Sequence, residues 1–345
     1  MGTIIELILS VVGILVAAAL FTNSIEMLGD RMNLGQGAVG SVLAAVGTAL
    51  PETMIPVVAI LGALILGGDP ASSGEIGVGA ILGAPFLLAT LAAFVIGAAA
   101  IIYKDRRETG TRLNVDKRTV RRDMVFFFLC FGLAAGVGVV NSFVAVPFFV
   151  MVAVAVGLVG AYVVHTVRTI IAGGEGLEDV PDDLTLWPES RFGEAPTWAV
   201  VAQVLGSLAV MALGAHYFVE AVRSGSEAIG IPAGLIALVL APLATELPEK
   251  FNSVIWLRDN KDTLAIGNIT GAMVFQSTIP VSLGLVFTSW SLDSLNALSA
   301  GLALLGGALI IAMLLSKGGL RASFLLGGGL LYAMFLGVAI YQLAL

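Results

Sequence analysis

The chain has 345 residues, of which 58% are hydrophobic and 12% charged, and its mean hydropathy is +1.00. Soluble domains carry about 25% charged residues, so this composition excludes a soluble globular protein and implies one that lives in a bilayer. The net charge of −7 says little about partners, because its distribution matters more than its sum.

Apolar runs of about 20 residues, the length a helix needs to span a bilayer, recur from end to end. A barrel would instead show strands of about 10 residues with alternating polarity, and that pattern is absent. No basic region precedes the first run, at 4–21, so it reads as a retained span rather than a cleaved signal. About ten helices are expected: 4–21, 37–66, 75–102, 124–141, 144–171, 197–219, 229–257, 263–288, 294–315 and 321–343. Cys130, in the fourth, is the single cysteine, so there is no internal disulfide. The fold class is an all-α polytopic membrane protein.

Between the third and fourth runs, residues 103–123 carry Lys104, Arg106, Arg107, Arg112, Lys117, Arg118, Arg121 and Arg122. Lys and Arg in short loops favour the cytoplasm, which places this loop inside. Arg31, Arg168, Arg191, Arg258, Lys261, Lys317 and Arg321 then fall inside too, and Arg223 outside. Both termini are expected outside, in a multi-pass protein of the plasma membrane. Residues 172–196 are rich in Gly, Pro and acid, including Glu175, Glu178, Asp179, Asp182, Asp183, Glu189 and Glu194. They read as a cytoplasmic linker between a first five-helix repeat, 1–171, and a second, 197–345.

Five helices per half make the halves cross in opposite senses. Two near-matching segments agree with this: Gly47-Thr48-Ala49-Leu50-Pro51-Glu52 in the second helix and Ala244-Thr245-Glu246-Leu247-Pro248-Glu249 in the seventh. After each comes a Gly-rich helix start, with Gly79/Gly83 in one half and Gly267/Gly271 in the other, the spacing of close helix packing. Inverted repeats with interrupted helices mark secondary transporters whose site lies at the midplane.

A charged side chain at mid-bilayer costs about 2.5–3.5 kcal/mol on insertion scales, so buried carboxylates are functional candidates. Pro51 and Pro248 should free the carbonyls four residues back, and a cation can satisfy these in a medium without water. Carboxylates plus carbonyl oxygens suit Ca²⁺, and the lack of nearby Cys or His disfavours soft metals. The plainer alternative is that each Glu is protonated or paired. Glu246 and Lys250, four apart on one helix, can form such a pair. Asn252, Ser253, Asn268, Thr270, Gln276, Ser277 and Thr278 are polar residues able to line the second half. Thr90 is the counterpart in the first. His165 and His216 lie near helix ends and read as simple polar residues.

These residues resemble the calcium/cation antiporter superfamily, which includes sodium/calcium exchangers. Its two inverted repeats typically read Gly-Thr-Ser-Leu-Pro-Glu, followed by Gly-Asn-x-x-Gly-Ser-Asn. This chain keeps Gly47-Thr48, Leu50-Pro51-Glu52, Thr245, Leu247-Pro248-Glu249 and Gly267-Asn268-Ile269-Thr270-Gly271. The resemblance implies Glu52 and Glu249 as paired acidic ligands, with backbone oxygens from Thr48 and Thr245. Ser253, retained in the second half, and Asn268 join the candidate ligands, and Glu246 supplies an oxygen from a new position. The chain departs from the pattern at Ala49, Pro56, Ala84-Pro85 and Ala272-Met273, where the family uses hydroxyl and amide groups to form Na⁺ sites.

The expected activity is alternating-access antiport of Ca²⁺ or a related cation, coupled to Na⁺ or H⁺. The competing class is a non-transporting membrane scaffold or sensor that kept the fold. An enzyme is not expected, because no nucleophile constellation accompanies the carboxylates. The partners are inorganic cations and the lipid bilayer, with no cofactor and no nucleic acid.

Overall fold

The computed structural model describes residues 2–31, 39–66, 69–171, 184–187 and 193–344. Within its helices, the side chains of 29–30, 39–49, 51, 64, 66, 70, 170 and 247–249 lie outside the description. The described residues are almost wholly helical. In chain order they are α1 (Gly2–Arg31), α2 (Val39–Leu66), α3 (Pro70–Leu87), a π-helical turn (Leu88–Ala92), α4 (Ala93–Ile102), α5 (Lys117–Phe143) and α6 (Phe148–Ile171). After the linker come α7 (Thr197–Ile229), α8 (Ala233–Arg258), α9 (Asp262–Gln276), α10 (Ile279–Phe287), α11 (Ser294–Leu315), α12 (Ala322–Leu325) and α13 (Gly327–Ala344).

Local chemistry marks several of the ends. Asp69 caps α3, accepting from the Ala71 and Ser72 amides, and Asp293 caps α11, accepting from Asn296 N at 2.8 Å. Gly230, at φ 71°, stops α7 in the left-handed conformation that glycine adopts without strain.

Eight stretches among the described residues are long and apolar enough to cross a membrane. Two shorter apolar stretches, Glu52–Ala63 and Ala233–Glu246, lie within α2 and α8. Several helices outrun the lengths expected from hydropathy: α5 begins at Lys117 and α7 continues to Ile229. Hydropathy stops at the first charges, whereas helical hydrogen bonding continues through them. Large apolar side chains such as Ile5, Phe143, Phe149 and Val156 stay exposed on the outer faces, as contact with lipid allows.

The interruptions fall elsewhere than the prolines suggest. Both α2 and α8 run unbroken through Pro51 and Pro248. A helix can absorb one missing donor when its neighbours hold it. The irregular turns come one helix later in each half. The π turn separates α3 from α4, and Ser277-Thr278 separate α9 from α10.

α1 lies along α7, and α3 lies along α8. The second contact is made backbone to backbone. A Cβ on Gly79 would collide with the Gly234 carbonyl, and one on Gly83 with the Leu238 carbonyl and the Pro242 ring. The expected small-residue packing therefore holds for this pair. Gly267 and Gly271 have no described atom within 4 Å of where a Cβ would sit. The main core joins α3, α4, α5, α9, α11 and α13, with Phe86 stacked on Tyr332 at 5.2 Å and Phe127 on Phe131 at 5.1 Å.

The basic loop after α4 is tied down at one end of the bundle. Arg107, with no exposed side-chain surface, pairs with Asp262 at 2.7 Å and donates to the Leu257 carbonyl. Leu113 N donates to the Leu320 carbonyl, and Ala322 N to that of Thr111. Three loops are thus bound to each other, and α8 and α9 are fixed where they turn. In the linker, Leu184 is buried against Met27, Ala199 and Val200. Its acidic residues 175, 178, 179, 182, 183 and 189 lie outside the described residues.

Candidate cation site

Glu52 sits near the middle of α2 and Glu246 near the middle of α8. A helix rises 1.5 Å per residue, so each lies about 20 Å from the start of its helix. Their carboxyl groups come within hydrogen-bonding reach of each other. Glu246 has no exposed surface, and Glu52 is partly buried. The Gln276 side chain, at the last turn of α9, completes the contact: its Nε2 donates to Glu52 Oε2 at 2.7 Å. The amide oxygen of Gln276 is buried and has no hydrogen-bond partner among the described residues. An orphaned buried oxygen is costly unless something cationic or protonated meets it.

Lys250 lies one turn beyond Glu246 on α8, fully buried, with its Nζ 3.6 Å from Glu246 Oε2. Its charge also acts on Glu52. Nζ donates to Asn268 Oδ1 at 3.4 Å, and Asn268 Nδ2 donates to Ser253 Oγ at 3.0 Å. The pairing that helical spacing allowed for Glu246 and Lys250 is present, and Lys250 is turned inward.

The candidate ligands therefore divide. Glu52 and Glu246 meet. Ser253 and Asn268 stand beside them, joined through Lys250 rather than directly. The Thr245 hydroxyl turns back on its own helix, donating to the Ala241 carbonyl at 3.1 Å. The side chains of Thr48 and Glu249 lie outside the described residues. Of the other polar candidates, Ser277 and Thr278 donate to carbonyls of α9, and Asn252 is exposed. Thr90, inside the π turn, bonds to the Phe86 carbonyl. Gln276 is the group that sequence reasoning named only as one of seven lining candidates. Its signal was an amide at the end of α9, six residues beyond Thr270.

Thr270 faces a different cluster. Its hydroxyl donates to Asp123 Oδ2 at 3.2 Å, and Asp123 also meets Arg122 at 3.1 Å and His165 at 3.4 Å. His165 thus belongs to a polar group around the buried Asp123.

In chemical terms, two carboxyls, one amide oxygen and one ammonium meet inside an apolar bundle. The oxygens are hard donors of the kind Ca²⁺ takes. Two carboxyls that touch can also hold a proton between them, since a hydrogen bond from one to the other needs a donor.

The family model described as "Sodium/calcium exchanger protein" matches residues 3–171 and 199–344. The chain is 23% identical over 318 residues to "Putative antiporter CaxA" of Alkalimonas amylolytica, covering 92% of this chain and 91% of that one. The "Crystal Structure of H+/Ca2+ Exchanger CAX" superposes with a TM-score of 0.71 at 16% identity, covering 99% of this chain and 86% of the other. A structure of the sodium-calcium exchanger NCX_Mj gives 0.57 at 17% identity, covering 97% and 98%. Both solved structures share the fold.

Proposed function

Since the chain belongs to the sodium/calcium exchanger protein family, we propose that this cation antiporter exchanges Ca²⁺ for H⁺, both ions using the carboxyls of Glu52 and Glu246. The observation that carries the reading is the meeting of those two groups beside the orphaned oxygen of Gln276. Without Ca²⁺, a proton bridges the pair. Ca²⁺ needs both carboxylates ionised and takes the Gln276 oxygen as a further ligand. The two ions therefore exclude one another, which is the condition for exchange rather than co-transport. Glu249 and the backbone oxygens of Thr48 and Thr245 complete the coordination, on the strength of the repeated motif.

The choice of H⁺ over Na⁺ rests on what the motifs lack. Ala49, Ala84 and Ala272 stand where the superfamily pattern has hydroxyls, and Met273 where it has an amide. Such positions supply Na⁺ ligands, and an apolar side chain supplies none. A proton needs only the carboxyl pair.

The two halves, 1–171 and 197–345, act as inverted repeats, and the basic loop end faces the cytoplasm of the plasma membrane, with both termini outside. The charge asymmetry supports that orientation. The site then opens alternately to either side, and each ion shifts the equilibrium only by its difference in affinity for the two states.

The test is transport in proteoliposomes. An acid-inside pH gradient should drive uptake of radioactive Ca²⁺, and a protonophore should collapse it. A Na⁺ gradient at matched pH should drive none, and Glu52→Gln should abolish uptake. Uptake driven by Na⁺ and not by pH would refute the coupling. Full activity of Glu52→Gln would refute the site.

A further inference from the structure

Lysine is almost never fully buried unless paired, and an ammonium inside a bilayer is expensive. Lys250 is fully buried all the same, within an apolar bundle and one helical turn from Glu246. Its ammonium lies 3.6 Å from a Glu246 oxygen and acts on Glu52 as well, so it addresses the same two carboxyls as the transported ion. Asn268 steers it. The Asn268 oxygen accepts from Lys250 at 3.4 Å, while its amide nitrogen is held by Ser253 at 3.0 Å, which fixes the amide with its oxygen toward the ammonium.

We propose that Lys250 is a tethered counter-ion of the transport site, holding a cation position against Glu246 and so setting which ionic charge the site prefers. The inference rests on reading Glu52 and Glu246 as the transport carboxyls, and it adds a residue that tunes specificity. If Glu249 joins the site, as the repeated motif implies, the site has three carboxylates. One fixed ammonium lowers the net charge of the ionised site to about −2, which matches one divalent ion. Without it the site would carry one more negative charge and favour ions of higher charge. Asn268 and Ser253 are then positioning residues for the ammonium, and the Asn268 oxygen is committed to Lys250 instead of to the cation.

The measurement is charge selectivity: the inhibition constant of Tb³⁺ divided by the KM of Ca²⁺, in proteoliposomes. Lys250→Met keeps the length and removes the charge. A trivalent ion gains more from the added negative charge than a divalent one, so the ratio should shift toward Tb³⁺ by about tenfold or more. Lys250→Arg, which retains the charge, should keep the wild-type ratio. An unchanged ratio in Lys250→Met would overturn the proposal, because a purely structural lysine alters stability without altering charge preference.

If Lys250→Met does not insert, the same logic runs through its partner. Read as binding, from the concentrations of Tb³⁺ and of Ca²⁺ that half-maximally raise the melting temperature, Glu246→Gln alone should shift the preference away from Tb³⁺, and Glu246→Gln with Lys250→Met should bring it back. Failure of the second change to reverse the first would overturn the proposal equally. Glu52→Gln separates the two readings. If that variant still transports Ca²⁺, the site itself is misassigned. If it does not, and the Lys250 variants leave the ratio unchanged, only the counter-ion role is lost.

Discussion

Replacing Gln276 by leucine tests the site at the point where sequence and structure diverge most. The substitution removes two features at once: the 2.7 Å hydrogen bond from Nε2 to Glu52, and the buried amide oxygen that has no described partner. A hydrogen bond to a charged group contributes about 1.5–3 kcal/mol. Leucine is close in volume, so packing should change by less than about 1.5 kcal/mol. The lost bond favours the ionised Glu52 that the proposed Ca²⁺ binding requires. The KM for Ca²⁺ should therefore rise about tenfold to a hundredfold, at about 1.4 kcal/mol per factor of ten. Loss of the amide oxygen as a ligand acts in the same direction.

Two assays read this independently. Uptake in proteoliposomes gives KM. Thermal unfolding with and without Ca²⁺ gives the stabilisation by bound ion, which is about 2.7 kcal/mol at a concentration of 100 Kd. At that same concentration, a tenfold weaker site retains only about 1.4 kcal/mol. A Gln276→Leu protein whose KM and Ca²⁺ stabilisation both stay within about twofold of wild type would refute the role given to this amide.

Three further outcomes follow from packing and charge. Gly83→Ala should destabilise by about 1–3 kcal/mol, because the new methyl would sit 2.8 Å from the Pro242 ring and closer still to the Leu238 carbonyl. Gly271→Ala, with no described atom within 4 Å, should cost far less, and equal losses in thermal unfolding would contradict the packing. Arg107→Ala leaves the buried Asp262 without its cation and should cost about 3–5 kcal/mol, much of which Arg107→Met with Asp262→Leu should recover. Asp116 caps α5 and is held below the usual carboxylate range by the Thr119 hydroxyl and then by the Arg118 amide. Its folded pKa is lowered, so its contribution is present above the ordinary carboxylate pKa and fades as pH falls through the folded value. Asp116→Ala should thus cost about 1 kcal/mol near neutral pH, with the gap to wild type closing below about pH 4. A gap that persists in acid would point to packing instead of capping.

How far the sequence reaches depends on whether a feature is local. The spans follow from apolar length, and the Glu246–Lys250 pair follows from helical spacing, because residues four apart share a face. The pairing of Thr270 with Asp123 joins positions 147 residues apart, and no periodicity encodes it. The π turn around Thr90 carries no signature at all. Gln276, Ser277 and Thr278 are equivalent as polar residues in sequence. They separate only because α9 ends between them, leaving the amide to reach α2 while the two hydroxyls close on the carbonyls of their own helix.

The same geometry explains why α9 carries two polar clusters without confusing them. Asn268 and Thr270 are two residues apart, hence about 200° apart around the helix axis. One therefore faces Lys250 on α8 and the other Asp123 on α5. A sequence reading sees one polar stretch, Asn268 to Thr270, and counts both as lining. In the bundle α9 is a partition instead: one face serves the carboxyl pair, and the opposite face fixes the helix to α5. A change at Thr270 should accordingly alter how α9 is held while leaving the Tb³⁺ to Ca²⁺ ratio intact, whereas a change at Asn268 should move that ratio through Lys250.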